Sequence, residues 1–481
     1  MTVSNSKKLF KASLWMTVSF GLGKVAQLLS QVYLARLLSP EDFGIWAMVL
    51  VLSNFSLLFR DSAIAQVLVQ KGLDDSKLVN TVYSLGINIS IFLFFIQALA
   101  GLPLSYFFKQ PILFPLTVLS AFIFLIGAGA GSHTAILQRT MKFKELAICD
   151  LLANFSRVFS LVISSMLGCE FWSFAIGEIT MALVDSCSKR FFSRYEFKYY
   201  LKLERNKINE VNGFILGVIG SKIAHQMNIT GDNLIIGKLI GTQALGYYNV
   251  AYQLATTPAF AFSQINSRVI FSALSQVSEQ RKSLIMIEKV VEYYATTATL
   301  IYGLAFILAP PIILLIYGDN WKQSISICQI ILIFSYTSGF VSILAAYLLS
   351  MNKSLEIARI DWFIVPISLT AYFIGAQIGG VQGVAIAVTC VMGFVASSWY
   401  LISACRIAGV NILALLKPAL MPTTAILIAL ATIRVIPYPH NGAIYLQILT
   451  LVFLYITIIA LISKGHLPFS IFRRLLYKIG L

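Results

Sequence analysis

Charged residues are scarce in this chain of 481 residues: Asp, Glu, Lys and Arg together make up only 12% of it. Soluble domains contain about 25%, so the chain has too few charges to cover a surface exposed to water. Hydrophobic residues instead make up 58%. This composition fits a soluble enzyme, a nucleic-acid-binding protein or a disordered scaffold poorly, and it is typical of a polytopic membrane protein.

Cysteine and histidine are also few, with six and four residues respectively. No two cysteines form a CxxC pair, and the histidines do not cluster with them. We therefore expect no disulfide framework, no metal site and no cofactor. The segment from Gly231 to Lys238 resembles a phosphate-binding loop only superficially, because its glycines are six residues apart and Leu239 follows the lysine.

Long apolar runs fill most of the sequence. Runs of about 20 residues match a bilayer core of about 30 Å, and fourteen occur, at 12–34, 43–59, 80–100, 112–137, 146–167, 170–188, 213–237, 246–267, 291–316, 323–350, 360–377, 383–404, 418–433 and 443–463. The basic N-terminus lacks an A-x-A cleavage site, so we interpret it as the start of an uncleaved first helix. The predicted fold is an all-α membrane protein with about fourteen transmembrane helices.

The distribution of Lys and Arg predicts the orientation. With the N-terminus inside, 28 of the 36 fall in cytoplasmic segments, five fall in outside loops, and three lie within the spans. Cytoplasmic loops of membrane proteins are enriched in Lys and Arg. We therefore expect both termini in the cytoplasm. The net charge of +16 follows from this bias and does not indicate a nucleic-acid partner.

An internal repeat divides the chain. ARLLSPEDFGIW (Ala35–Trp46) recurs as GKLIGTQALGYY (Gly237–Tyr248) at an offset of 202 residues, and ELAICD (Glu145–Asp150) recurs as EIARID (Glu356–Asp361) at an offset of 211. Six spans per repeat give both halves the same orientation, so we expect them to be related by an axis along the membrane normal. The predicted domains are lobes of six helices at 1–190 and 213–405, a basic cytoplasmic linker at 191–212, and helices 13 and 14 with a basic tail at 406–481.

Four motifs resemble a known family: LARLLSPEDFGIWA (34–47), RDSAIAQVLVQ (60–70), LQRTMKFKELA (137–147) and DNLIIGKLIGTQALGYYNVAYQLATTP (232–258). They resemble the bacterial polysaccharide transport family, the lipid-linked oligosaccharide flippases of the multidrug/oligosaccharidyl-lipid/polysaccharide exporter superfamily. The resemblance implies two lobes facing a central cavity in the cytoplasmic (inner) membrane, and no enzymatic activity. It implies movement of a polyprenyl-diphosphate-linked oligosaccharide to the outer leaflet, with membrane lipids and other polysaccharide assembly proteins as further partners.

Charged and amide side chains inside the spans are the candidate site residues, because an unpaired charge at mid-bilayer costs several kcal/mol. At 100° per residue they form polar stripes on helices 1, 5 and 7. A basic, hydrated cavity would balance a diphosphate, and amides suit sugar hydroxyls. The predicted substrate-binding residues are Lys24, Gln27, Gln31, Asn154, Arg157, Lys222, Gln226 and Asn233.

The same stripes admit a structural interpretation, in which they join helices through pairs such as Arg157 with Glu178 or Lys222 with Asp232. Four residues are candidates for ion coupling: Asp150, Glu178, His225 and Asp232. His225 is equally consistent with a hydrogen-bonded helix contact. The small-residue run GAGAGS (127–132) is predicted to provide a face for close helix packing.

Two other functions remain open at this point. A drug exporter of the same superfamily would favour acids in its cavity, whereas Lys24, Arg157 and Lys222 are basic. A membrane-embedded polysaccharide polymerase or ligase would need a large external loop with charged groups, and the outside loops hold at most about a dozen residues.

Overall fold

The computed structural model describes residues 3–61, 68, 74–200, 205–274, 280–351, 353–436 and 443–462, and all regular structure in these ranges is helical. In the first half of the chain the helices are α1 (Val3–Leu37), α2 (Pro40–Asp61), α3 (Ser76–Phe108), α4 (Leu113–Ile126), α5 (Ala130–Arg139), α6 (Phe143–Met166) and α7 (Trp172–Ser193). In the second half they are α8 (Arg205–Leu239), α9 (Thr242–Leu274), α10 (Gln280–Ile316), α11 (Ser324–Ser350), α12 (Ser354–Val388), α13 (Ser397–Ala408), α14 (Ile412–Val435) and α15 (Ala443–Ile462).

Two interruptions decide how these helices count as spans. α4 and α5 meet at a 41° bend and together form one apolar span. α12 is broken at Gly379 and Gly380, where Gly380 takes a φ of 56°, and its second part continues through a π-helical turn, Thr389–Ala396, into α13. Counted in this way, the described residues form fourteen helical segments, as many as the spans that the sequence predicts. Among the described helices, eight are long and apolar enough to cross a membrane, or nine if the bent pair is one span.

The glycine-rich run at 127–132 lies across a break in the helix, since α4 ends at Ile126 and α5 begins at Ala130. Its predicted role as a face for close helix packing stays a prediction. Gly129 has a φ of 80°, and a β-carbon there would lie 2.7 Å from Cε2 of Tyr83. The left-handed conformation and the close ring both require glycine, so the small residues produce a bend.

The repeat is visible in the helix boundaries. α1 and α8 end at Leu37 and Leu239, which are 202 positions apart. Pro40 and Thr242, the first residues of α2 and α9, have the same offset. The matching boundaries confirm that the two halves of the chain are built from the same succession of helices.

The two copies of the repeated motif also contact each other. A β-carbon at Gly44 would overlap the carbonyl oxygen of Thr242, and one at Gly246 would overlap that of Pro40. These contacts are equivalent under the 202-residue offset of the repeat, in which Gly44 corresponds to Gly246 and Pro40 corresponds to Thr242. Such reciprocal contacts are the signature of a two-fold relation. The motifs therefore lie at the same end of their helices, as the parallel repeat predicts.

Local sequence explains how the first copy of the motif begins its helix. At the start of α2, the amide of Ser39 donates to Oδ2 of Asp42 at 2.8 Å, and the amide of Asp42 donates to Oγ of Ser39 at 3.3 Å. This reciprocal capping satisfies amides that the first turn leaves without partners. Pro40 occupies the first helical position, where its missing N–H costs nothing.

Packing divides the chain into two compact units. One contains residues up to Asn249 together with Ile316–Asn320, and the other contains Val250–Leu315 and the residues from Trp321 onward. The division by packing falls after Asn249 because α8 packs against α2 and α3. The lobes at 1–190 and 213–405, which the repeat defines, stay a prediction.

The predicted linker at 191–212 is largely helical at its two ends. α7 continues to Ser193 and α8 begins at Arg205, so the described extended part is 194–200. This segment lies along α3, where the amides of Lys198 and Tyr200 donate to Asn80 and Ser84, each at 2.9 Å. The extended backbone therefore finds hydrogen-bond partners that it would otherwise lack near a membrane.

Candidate functional site

The polar stripe on α1 lies partly buried. Nζ of Lys24 donates to Oε1 of Gln27 at 2.9 Å. Gln31, one turn further on, is 6% exposed. Within the described part of the chain, Oε1 of Gln31 is buried without a hydrogen-bond partner. The three predicted residues of α1 thus form one polar face, and this face retains an acceptor that a ligand could use.

α6 packs against α1 and brings the second set of predicted residues to this face. A β-carbon at Gly23 would lie 3.3 Å from Cγ of Asn154, so glycine allows α1 to approach the amide. Arg157 lies one turn beyond Asn154 on α6. The predicted residues of α1 and α6 therefore lie on two helices that pack against each other.

Arg157 also forms the inter-helix pair that the structural interpretation foresaw. Its Nη2 lies 2.5 Å from Oε1 of Glu178 on α7, and both side chains remain about a fifth exposed, at 20% and 23%. Nε of Arg157 is buried and finds no hydrogen-bond partner among the described residues. The pair therefore neutralises part of the charge while leaving guanidinium donors that are not used by Glu178.

Asp150 belongs to a separate group of charges between α6 and α7. Its Oδ1 lies 3.9 Å from Nζ of Lys189, which in turn lies 2.8 Å from Oδ1 of Asp185. The backbone carbonyl of Asp150 accepts from Asn154 at 2.7 Å. Asp150 is thus an ion-pair partner of Lys189, and its predicted role in ion coupling stays a prediction.

The predicted residues of α8 do not form the pair that we considered between Lys222 and Asp232. Asp232 is 2% exposed. Its carboxylate accepts from the hydroxyl of Tyr248 at 2.5 Å and from the amide of Asn233 at 2.7 Å. Since the described residues offer Asp232 no cation, Tyr248 on α9 takes the place predicted for Lys222. Sequence spacing could not reveal this contact, because the partner lies on another helix.

The other predicted side chains of α8 are more accessible. His225 is exposed, and Lys222, Gln226 and Asn233 are half-buried. The amide of Gln226 donates to Oγ1 of Thr230 one turn further on. In the described chain α8 packs against α2 and α3, so the predicted opposition of Lys222 and Lys24 across a cleft stays a prediction.

An apolar cavity that the sequence did not predict lies within the second compact unit. It has a volume of about 550 Å³ and is lined by α10, α11, the π-helical turn, α13 and α14. Side chains along its wall include Phe306, Leu332, Phe340, Phe394, Leu401 and Leu427. Seven of the lining residues carry hydroxyls, but that of Tyr336 is engaged with Oγ1 of Thr423 at 2.7 Å and that of Tyr302 with Oγ of Ser335 at 3.0 Å. The lining suits a long apolar ligand.

Comparison with known proteins identifies the family. The model of the family described as polysaccharide biosynthesis protein matches residues 33–326. The chain belongs to this family. The resemblance seen in its motifs is thereby confirmed, and membership identifies the chain as a membrane transporter of polysaccharide biosynthesis and not an enzyme.

Relatives within the family are distant in sequence. The succinoglycan biosynthesis transport protein ExoT of Rhizobium meliloti is 24% identical over 60% of this chain and 59% of its own length. The lipopolysaccharide biosynthesis protein WzxC of Escherichia coli is 20% identical over 79% of this chain and 78% of its own.

The fold matches a solved structure over nearly the whole chain. Lipid II flippase MurJ, in an inward closed conformation, superposes with a TM-score of 0.75 at 16% identity, covering 94% of this chain and 99% of that one. At this identity the likeness concerns the fold. It confirms the predicted all-α membrane architecture of two lobes with additional C-terminal helices.

Proposed function

We propose that this chain moves a polyprenyl-diphosphate-linked oligosaccharide from the inner to the outer leaflet of the bacterial cytoplasmic membrane, for polysaccharide export. Family membership and the names of its relatives, a succinoglycan transport protein and a lipopolysaccharide biosynthesis protein, support this proposal. So does the fold that the chain has in common with a lipid II flippase.

The observation that carries the proposal is the cationic and amide face formed by α1 and α6. A diphosphate bears two negative charges and is strongly hydrated, so it crosses hydrocarbon only where protein groups replace its water. Lys24 and the remaining donors of Arg157 supply charge-assisted hydrogen bonds to phosphate oxygens. Gln27, Gln31 and Asn154 supply amides to sugar hydroxyls.

We extend the same site to α8. Lys222, Gln226 and Asn233 are half-buried polar side chains on a helix that we predict to span the membrane. Polar side chains within a span face protein or water rather than lipid. In the repeat, α8 is the counterpart of α1, so a second polar face on α8 would contact the headgroup from the other repeat.

The apolar cavity between α10 and α14 provides a place for part of the lipid chain. Its wall offers hydrocarbon and aromatic surface. A polyprenyl tail would move from the lipid to this surface at little cost in free energy, because neither environment is aqueous. Charged headgroup and apolar tail would then contact different parts of the protein.

The orientation that we propose has both termini in the cytoplasm. Transport from this side is favoured by the membrane potential, which contributes about 2.3 kcal/mol per charge for each 100 mV. Exchange of an ion would add to this driving force if it took place through the buried Asp232, or through Asp150, Glu178 or His225.

Replacement of Lys24 tests the proposal. In proteoliposomes that contain lipid-linked oligosaccharides, Lys24→Ala should reduce the translocation rate about tenfold, the factor expected when one charge-assisted hydrogen bond is lost. Lys24→Arg should restore most of it, because a solvated cavity requires charge more than a particular geometry.

Lys322→Ala serves as the matched control, since Lys322 is an exposed lysine outside the helices and should leave the rate unchanged. Normal translocation by Lys24→Ala, or a loss that tracks only reduced protein accumulation, would show that Lys24 is structural.

A further inference from the structure

A basic residue occupies the same position in both repeats, next to the last residue of the first helix. Arg36 precedes the C-terminal Leu37 of α1, and Lys238 precedes the C-terminal Leu239 of α8. The two positions are 202 residues apart, the offset of the repeated motif. Both side chains are exposed.

Each cation binds the C-terminal end of a helix from the other repeat. Nε of Arg36 donates to the carbonyl oxygen of Ile316, the last residue of α10, at 3.0 Å. Nζ of Lys238 donates to the carbonyl oxygen of Phe107 in the last turn of α3 and lies 4.4 Å from the centre of its ring. Helix C-termini leave carbonyls without partners and carry partial negative charge, so a cation is stabilised there.

The two contacts are reciprocal. α3 and α10 are the third helices of their repeats, and Phe107 and Ile316 lie at their ends. The cation of the first repeat thus binds the third helix of the second, and the cation of the second binds the third helix of the first. A two-fold relation generates one contact from the other.

The chemistry of these contacts allows them to open. The cations and the carbonyls lie at helix ends where water can replace either partner, and exposed charged contacts contribute little net stability. Nearby, Gly44 and Gly246 meet the backbone of Thr242 and Pro40 without side chains between them. Next to Lys238, however, Gly237 lies against the buried side chains of Phe108 and Met48, so opening at this face also separates some apolar surface.

We propose that Arg36 and Lys238 form a reciprocal latch that closes the external face of the transporter and must open once in each transport cycle. The inference rests on the proposed function and on the orientation proposed with it, which places the ends of α1, α3, α8 and α10 outside.

Reversible cross-linking tests whether the latch opens. In a full-length protein with Cys169, Cys187 and Cys390 replaced by Ser, Phe107→Cys and Lys238→Cys are joined by a membrane-impermeant, reducible bis-thiol reagent. We expect translocation to stop on cross-linking and to return on reduction. Each single-cysteine variant, treated in the same way, should keep its rate and thus exclude an effect of the label itself.

A second measurement tests whether the two halves act together. Arg36→Ala, introduced into the double-cysteine protein, should slow cross-linking between positions 107 and 238 about threefold, because it removes an exposed charged contact in the other half. Arg36→Lys should preserve the rate, and Lys322→Ala provides the control for loss of an exposed external lysine.

The outcomes separate the latch from the function. Unchanged translocation by fully cross-linked protein, or cross-linking insensitive to Arg36→Ala, would overturn the latch and leave the flippase proposal intact. If the reduced protein translocates no lipid-linked oligosaccharide but its cross-linking still depends on Arg36, the flippase proposal fails and the reciprocal contact stands.

Discussion

Asp232 is a buried carboxylate whose hydrogen-bond donors are neutral groups. It is 2% exposed, and the hydroxyl of Tyr248 and the amide of Asn233 are its partners in the described structure. Two neutral donors do not balance a carboxylate in a membrane interior, where ionisable groups are costly and usually functional. Asp232 is therefore the strongest of the four ion-coupling candidates.

We predict that Asp232→Asn uncouples transport from an ion gradient. Asparagine keeps the size and can still accept from Tyr248, so the protein should accumulate normally while its ability to bind a cation is lost. Translocation in proteoliposomes, with and without an imposed proton or sodium gradient, measures the effect.

Glu356→Gln is the control, because Glu356 pairs with Arg359 at the start of α12, belongs to none of the candidate ion-coupling groups and should not alter the gradient response. If Asp232→Asn responds to the gradient as the unmodified protein does, then Asp232 serves only to join α8 to α9.

At the scale of helices, α6 and α7 are joined by Arg157 and Glu178. The proposed function gives Arg157 a second task, since its buried Nε has no partner among the described residues. A structural pair requires only that opposite charges face each other, whereas a phosphate contact requires the cation to be on α6. Exchange of the two residues separates these tasks.

We predict that Glu178→Gln destabilises the protein by about 2 kcal/mol, less than the cost of breaking a fully buried pair because both side chains are partly exposed. The exchanged protein, Arg157→Glu with Glu178→Arg, should recover thermal stability in detergent but not translocation. Recovery of both properties would assign Arg157 a structural role alone.

Helix-scale features were predictable to different degrees. Apolar run length and the 202-residue offset were enough to predict fourteen spans and the repeat, because both depend on periodicity along the chain. The contact of Asp232 with Tyr248 and the apolar cavity were not predictable, because they depend on how helices rotate and pack. The recurring basic residue of the motif, Arg36 and Lys238, was visible in the sequence, but the carbonyl groups that it binds were not.

At the scale of the whole molecule, the even number of predicted spans in each repeat gives the two repeats the same orientation in the membrane. Both repeats start on the same side of the membrane, so the two copies of the motif reach the same face and can contact each other, as Gly44 and Gly246 do. The contact alone is compatible with either face. The distribution of Lys and Arg predicts that this face lies outside.

We predict that Asp319, which follows α10, is accessible from outside and that Tyr200, which precedes α8, is accessible only from the cytoplasm. Both side chains are exposed, so cysteine at either position should react readily once a reagent reaches it. In the protein without Cys169, Cys187 and Cys390, a membrane-impermeant maleimide added to intact cells should label Asp319→Cys alone. Permeabilised cells should label Tyr200→Cys as well, and Lys353→Cys, on an exposed lysine in the loop before α12, should behave like Tyr200→Cys.

Labelling of position 200 in intact cells, or failure to label position 319, would invert the molecule and place the latch of Arg36 and Lys238 on the cytoplasmic side.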